Sequence, residues 1–154
     1  MLVELVKKAS AGTRQLLVLS DRRLHCEFLH QCFPKTSGLY MGGMKEAQLQ
    51  ESSKKKIIFA TFSQAHEGLD IPTLDTVILA SPKSNIIQSI GRIMRETKGK
   101  KNNPHIYDVH DPWSVLTAMY YKRAKVYRQG GFNIHGKNVE EPKSAFPQGK
   151  CLFL

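Results

Sequence analysis

Short apolar runs recur along this chain, each divided from the next by a polar stretch of helical character. Ile57-Ile58-Phe59-Ala60-Thr61, launched from Lys54-Lys55-Lys56, and Leu74 to Ala80 are β-branched and lack a wet face. Both therefore read as buried strands. A third such run spans 15–20. Strands of this kind need cover on both faces, and their alternation with helices predicts a mostly parallel sheet between two helical layers. The expected order is helix 2–11, strand 15–20, helix 22–32, a short strand near 38–41, helix 44–52 and strand 57–61. A short helix 63–67, strand 74–80, helix 84–95, strand 105–109 and helix 113–129 complete it. This makes one α/β domain over residues 1–129. Beyond it Gly130, Gly131, Gly136, Pro142, Pro147 and Gly149 interrupt any regular element, so 130–154 is expected to be an irregular extension.

One octapeptide, Gln88-Ser89-Ile90-Gly91-Arg92-Ile93-Met94-Arg95, carries the most chemistry. On a helix Gln88, Arg92 and Arg95 share a stripe, with Ile86, Ile90, Ile93 and Met94 on an adjoining apolar one. Gly91 costs helix stability but lets a ligand or another backbone come close. Two fixed guanidinium groups beside a glycine suit a triphosphate whose charge must be neutralised as a bond breaks. An amphipathic helix with solvated arginines explains the octapeptide alone equally well, and the segment upstream decides between them.

There Ala60-Thr61, Glu67-Gly68-Leu69-Asp70-Ile71-Pro72 and then Gln88-x-x-Gly91-Arg92-x-x-Arg95 resemble motifs V and VI of superfamily 2 helicases, which belong to the second RecA-like lobe. Gln15 to Asp21, leading into a helix with His25, looks like motif IV, and Leu39-Tyr40-Met41-Gly42-Gly43 like the strand and glycine turn after it. The tract from Tyr107 through Arg128 is similar to the end of helicases of large cytoplasmic DNA viruses: the poxvirus transcript-release helicase and its African swine fever virus and iridovirus relatives. The resemblance implies a RecA-like fold and roles for particular positions. Arg92 and Arg95 would be arginine fingers, and Gln88 would help sense the γ-phosphate or bind across the lobe interface. Gly68 and Gly91 would allow close approach, and Asp70 would accept from the ribose hydroxyl or pair with a finger arginine. Thr61, Ser20 and the amides of Gly42 and Gly43 would hold the backbone of a nucleic-acid strand.

Composition agrees with an anionic partner. The net charge is +10, with basic residues at Lys54 to Lys56, Lys83, Arg92 to Lys101, and Lys122, Arg123, Lys125 and Arg128. We read these as favouring nucleic acid; the charge does not separate DNA from RNA, and DNA is the expected partner of the two. Tyr120, Tyr121 and Tyr127 lie among the last cluster and could stack on bases, though core packing is the preferred reading. No apolar run is long enough to span a membrane, and no signal peptide is evident. Three cysteines give no disulfide framework and suit a reducing compartment. An intracellular site is expected and, for a viral protein, the host cytoplasm and the virion. His25, Cys26, His30 and Cys32 suggest zinc but lack a recognised ligand spacing, so no metal site is assigned.

The sequence holds no Gly-x-x-x-x-Gly-Lys-Ser/Thr loop to cradle phosphates and no Asp-Glu-x-Asp/His segment to hold Mg²⁺. The chain thus reads as half of an ATPase site. ATP with Mg²⁺ would be bound mainly by a first RecA-like lobe, expected N-terminal in a longer polypeptide, and the isolated chain is expected to be inactive. The rival reading is a non-catalytic nucleic-acid-binding module on a degenerate helicase lobe. A more distant one is an α/β protein binding another phosphorylated ligand through Arg92 and Arg95.

Overall fold

The computed structural model describes residues 1–87, 91, 102–109, 114–136 and 150–153, with the backbone alone for 114 and 150–153. Its elements are α1 (Leu2–Ala9), β1 (Leu16–Ser20), α2 (Arg23–Cys32), β2 (Ser37–Tyr40), α3 (Glu46–Ser53), β3 (Ile57–Thr61), α4 (Phe62–Glu67), β4 (Thr76–Leu79), β5 (His105–Asp108), α5 (Ser114–Gln129), β6 (Asn133–His135) and β7 (Lys150–Phe153). The strands form one sheet in the order β2-β3-β1-β4-β5-β7-β6, and every pairing is parallel.

Pleating sends successive side chains of β1, β3 and β4 to opposite faces, and each face buries its share. Leu17, Leu19, Ile58, Ala60, Val77 and Leu79 pack with Phe62 and Ala65 of α4 and with Ala124 and Tyr127 of α5. Leu16, Val18, Ile57, Phe59 and Ile78 pack on the other side with Val6 and Ala9 of α1 and Cys26 and Leu29 of α2. Helix α1 suits this task. Leu2, Leu5, Val6 and Ala9 form one stripe, Glu4 sits in the first turn, and Lys7 and Lys8 sit in the last, each sign favoured by the helix dipole. Helix α3 lies so close over β2 that a Cβ on Gly38 would stand 2.8 Å from the Cα of Ser52. Only glycine permits that approach.

Two expectations are corrected. The stretch from 130 onward is not wholly irregular: Asn133–His135 and Lys150–Phe153 add two parallel strands beside β5. The cause is tertiary. Beside β4, β5 would otherwise end the sheet, and Phe132 and Ile134 are buried at 3% and 2% exposure. Gly131, at φ +74°, makes the left-handed turn that ends α5. Arg123, counted in the sequence with a basic surface cluster, is an interior residue with 2% exposure. Tyr120 and Tyr127 are also buried, whereas Tyr121, expected in the core with them, is exposed. Of the helix expected over 84–95, Ile87 and Gly91 are helical, and 88–90 and 92–95 lie outside the described residues. Among the described residues, no helix is long and apolar enough to cross a membrane.

The four residues that suggested zinc are engaged separately. His25 Nδ1 is 2.9 Å from the Ser20 hydroxyl, and His30 Nδ1 is 2.7 Å from that of Ser37. The Cys26 thiol donates to the Ala60 carbonyl, and the exposed Cys32 thiol to that of Phe28. Burial, with a smaller push from Glu27, raises the Cys26 thiol to about 11.

Phe59→Ala should cost about 3–5 kcal/mol by denaturant unfolding. Leu24→Ala, on the 79% exposed face of α2, should stay within about 0.5 kcal/mol. Iodoacetamide at pH 8 should modify Cys32 and spare Cys26, read by peptide mass spectrometry. Because the folded thiol titrates higher than its ordinary value of 9.0, the stability it contributes is complete below that pH. It declines as pH rises toward 11, and Cys26→Ala should remove that decline.

Candidate nucleotide and nucleic-acid site

Parallel strands place all their carboxyl ends at one edge of the sheet. There Ser20 lies opposite Thr61 in register, with the turn Met41 to Gly43 following β2 beside them. Thr61 occupies the N-cap of α4, and its hydroxyl meets that of Ser63 at 3.3 Å without capping the helix. Gly43 has φ +83°, the left-handed conformation that turns the chain out of β2. The Gly42 carbonyl accepts from Arg23 Nη1 at 3.0 Å. Ser20 is more enclosed. Only 1% exposed, its hydroxyl lies 2.9 Å from both His25 Nδ1 and the Ser81 hydroxyl, and it accepts from the Arg22 amide. Arg22 and Arg23 are exposed at the start of α2 and bring cationic charge to this edge. The sequence reading passed over both, although a basic pair directly after a strand end was a usable signal.

Of the nucleotide-side candidates in the next loop, Gly68 stays near the glycine turn and Asp70 lies further away. The Gln64 amide lies 3.4 Å from where a Gly42 Cβ would sit and 3.9 Å from where a Gly68 Cβ would sit. Helix α4 carries the chain back from the carboxyl edge, and Gly68 follows it, its carbonyl accepting from the Tyr40 hydroxyl at 3.4 Å. Gly68 has φ −152°, and a Cβ there would meet only the Gln64 side chain at 3.9 Å. Neither its backbone nor its neighbours demand glycine, so its openness is available to a ligand. Asp70 is exposed. With Pro72 it borders an open cleft of about 710 Å³ whose other walls include Arg14, Gln15, Lys54 and Lys56. These residues precede β1 and β3, so the cleft opens at the amino ends of the strands. Its walls are tied together: Gln15 Nε2 donates to the Ser53 and Lys55 carbonyls at 2.8 and 2.9 Å, Lys56 Nζ donates to the Gly12 carbonyl at 2.7 Å, and the Thr73 hydroxyl donates to Gln15 Oε1.

Gln88, Arg92 and Arg95 lie outside the described residues. Gly91 is helical and exposed, with nothing within 4 Å of where a Cβ would sit. The approach to that helix is anchored, since Ile86 is fully buried in the core. Among the described residues, no group of three histidine, cysteine or carboxylate side chains converges on a metal position.

Comparison with known proteins fits this arrangement. Residues 1–97 match the family model described as the helicase conserved C-terminal domain. Two viral relatives carry the name "Putative ATP-dependent RNA helicase". One, from Acanthamoeba polyphaga mimivirus, is 38% identical over 104 residues, covering 64% of this chain and 20% of the relative. The other, from African swine fever virus, is 28% identical over 123 residues, covering 79% of this chain and 24% of the relative. The chain thus spans about a fifth to a quarter of the length of these relatives. Among solved structures, the C-terminal domain of the DEAD-box protein Dbp5 superimposes with a TM-score of 0.64 at 16% identity, covering 99% of this chain and 81% of that one. That likeness concerns the RecA-like fold.

Proposed function

The chain belongs to the helicase conserved C-terminal domain family, and on that footing we propose that it is the second lobe of an ATP-dependent viral helicase or translocase. One observation carries the reading. Within a single sheet, the candidates for strand contact and the carboxylate loop occupy opposite edges, so the lobe can hold a nucleic acid and face a nucleotide at once.

At the carboxyl edge, the Thr61 hydroxyl and the Gly42 and Gly43 amides meet backbone phosphates, which positions a strand without reading its sequence. Arg22 and Arg23 add attraction. Ser20 joins them only by exchanging its bond to His25 or Ser81; otherwise it shapes this edge from behind. At the amino edge, Asp70 accepts from a ribose hydroxyl; Gly68 and Gly91 leave the backbone open to close approach by the nucleotide. The residues present fit one side of ATP, an exposed carboxylate beside lysines. They do not fit its Mg²⁺, which falls with most of the triphosphate to a first lobe. The bound triphosphate supplies the scissile phosphoanhydride; Arg92 and Arg95 stabilise the charge that develops there, and Gln88 registers the γ-phosphate. Closing and reopening the two lobes alternates the grip on the strand.

The expected preference for DNA over RNA finds no support, since both relatives are named RNA helicases; the proposal is nucleic acid without that preference. The viral relatives support assignment to a virus-encoded protein working inside the host cell, with the cytoplasm and the virion as its proposed locations.

In the two-lobe polypeptide, Arg92→Ala should lower ATP hydrolysis by about 10³–10⁵, the range seen for other arginine fingers, while nucleotide binding is kept. Wild-type turnover in that variant would remove the finger assignment. The 154-residue chain alone should hydrolyse no ATP, and robust turnover by it would contradict the half-site reading. Arg23→Ala should weaken binding to single-stranded RNA and DNA and flatten its salt dependence by about one unit of slope.

A further inference from the structure

Behind the last stretch of the sheet is a polar cluster that none of the roles above uses. Asp108 ends β5, level with Leu79 at the end of β4. Arg123 of α5 grips it with two bonds, Nε to Oδ2 at 2.7 Å and Nη2 to Oδ1 at 2.9 Å. The Tyr127 hydroxyl, one helical turn further, donates to Oδ2 at 2.7 Å. All three side chains are at most 2% exposed. Burial pulls the guanidinium down, but the hydrogen bonds and charge of Asp108 outweigh it and hold Arg123 above its ordinary value. The remaining nitrogen, Nη1, leaves the pair and donates to the Lys83 carbonyl at 3.0 Å.

Lys83 is a junction. Its ammonium reaches Asp21 Oδ1 at 2.8 Å, just past β1, and stands 5.4 Å over the ring of Phe62 at the start of α4. Three residues later Ile86 enters the core with no exposure, and Ile87 is already helical. The entry to the helix of Gly91 is therefore held at two points, a pinned carbonyl at 83 and a buried side chain at 86. A buried ion pair adds little net stability over an apolar packing of the same volume. Its directional hold is what a hydrocarbon would not replace, because no apolar side chain can donate to the Lys83 carbonyl.

We propose that Asp108, Arg123 and Tyr127 are positioning residues that fix the entry of the segment leading into Ile87 and Gly91, and through it bear on the finger candidates Arg92 and Arg95 nearby in sequence. The inference rests on the functional reading only for its catalytic consequence; the hold on the helix entry is a property of this chain alone.

The test separates the two. Arg123→Lys keeps the charge but has one nitrogen in place of three, so it cannot hold Asp108 twice and also reach Lys83. Val18→Ala, on the opposite face of the sheet, serves as a variant that loses stability without touching the cluster. In the 154-residue chain, amide exchange at Ile87 and Gly91 should accelerate about tenfold in Arg123→Lys relative to β1 and β3. It should not do so in Val18→Ala at equal loss of melting temperature. Tyr127→Phe, which removes one bond and keeps the packing, should show a smaller change in the same direction and covers the case in which Arg123→Lys does not fold. Exchange at Ile87 and Gly91 that is unaltered, or that rises only in step with the whole sheet, overturns the proposal. In the two-lobe polypeptide, Arg123→Lys should lower kcat about tenfold or more while KM for ATP stays within about twofold. A kcat that follows melting temperature alone would also overturn it. Absence of ATPase activity in the wild-type polypeptide, with the local exchange change present, would defeat the helicase reading and leave the positioning intact.

Discussion

Three strands with no wet face govern this architecture. β1, β3 and β4 are buried along their whole lengths, so helices must cover both sides and each connection must cross over. Parallel direction follows, and with it a sorting of the chain by edge. Whatever comes directly after a strand gathers at one edge, and whatever comes directly before a strand gathers at the other. Thr61 and Gly42 sit together for the first reason. Asp70 stands near Lys54 for the second, because α4 returns the chain across the sheet before β4 begins. One packing requirement thus yields two separate surfaces, the ones to which the proposed function assigns a polymer and a nucleotide.

Local pattern made much of this legible. β3 lies where its apolar run predicts, and α2 starts one residue later than expected, since caps decide boundaries that periodicity only approximates. The glycine-aspartate loop stands out in the sequence through its likeness to a family motif, not through local pattern. β6 and β7 were not legible, because Lys150–Phe153 is a strand only through its partner β5, and Asn133–His135 only through Lys150–Phe153, which no local propensity reports. The enclosure of Ser20 was hidden for a related reason: its partner Ser81 is 61 positions away.

Arg123 shows the same limit for charge. In sequence it lies between Lys122 and Lys125 and reads as one more cation on a basic surface. In the fold its helix turns it inward to Asp108, whereas Lys122, Lys125 and Arg128 remain exposed. Because Asp108 cancels Arg123, the buried pair leaves the net charge of +10 unchanged; what the sequence overstates is the number of cations on that surface.

Gly38 has a reach beyond its own strand. Because β2 offers no side chain there, α3 settles directly on the backbone, and its end delivers Ser53 to Lys56 to the rim beside Asp70. A missing methyl group on one element thus sets the dimensions of an opening formed by others. Evolution or design could tune the width of that mouth from a position that never meets the guest.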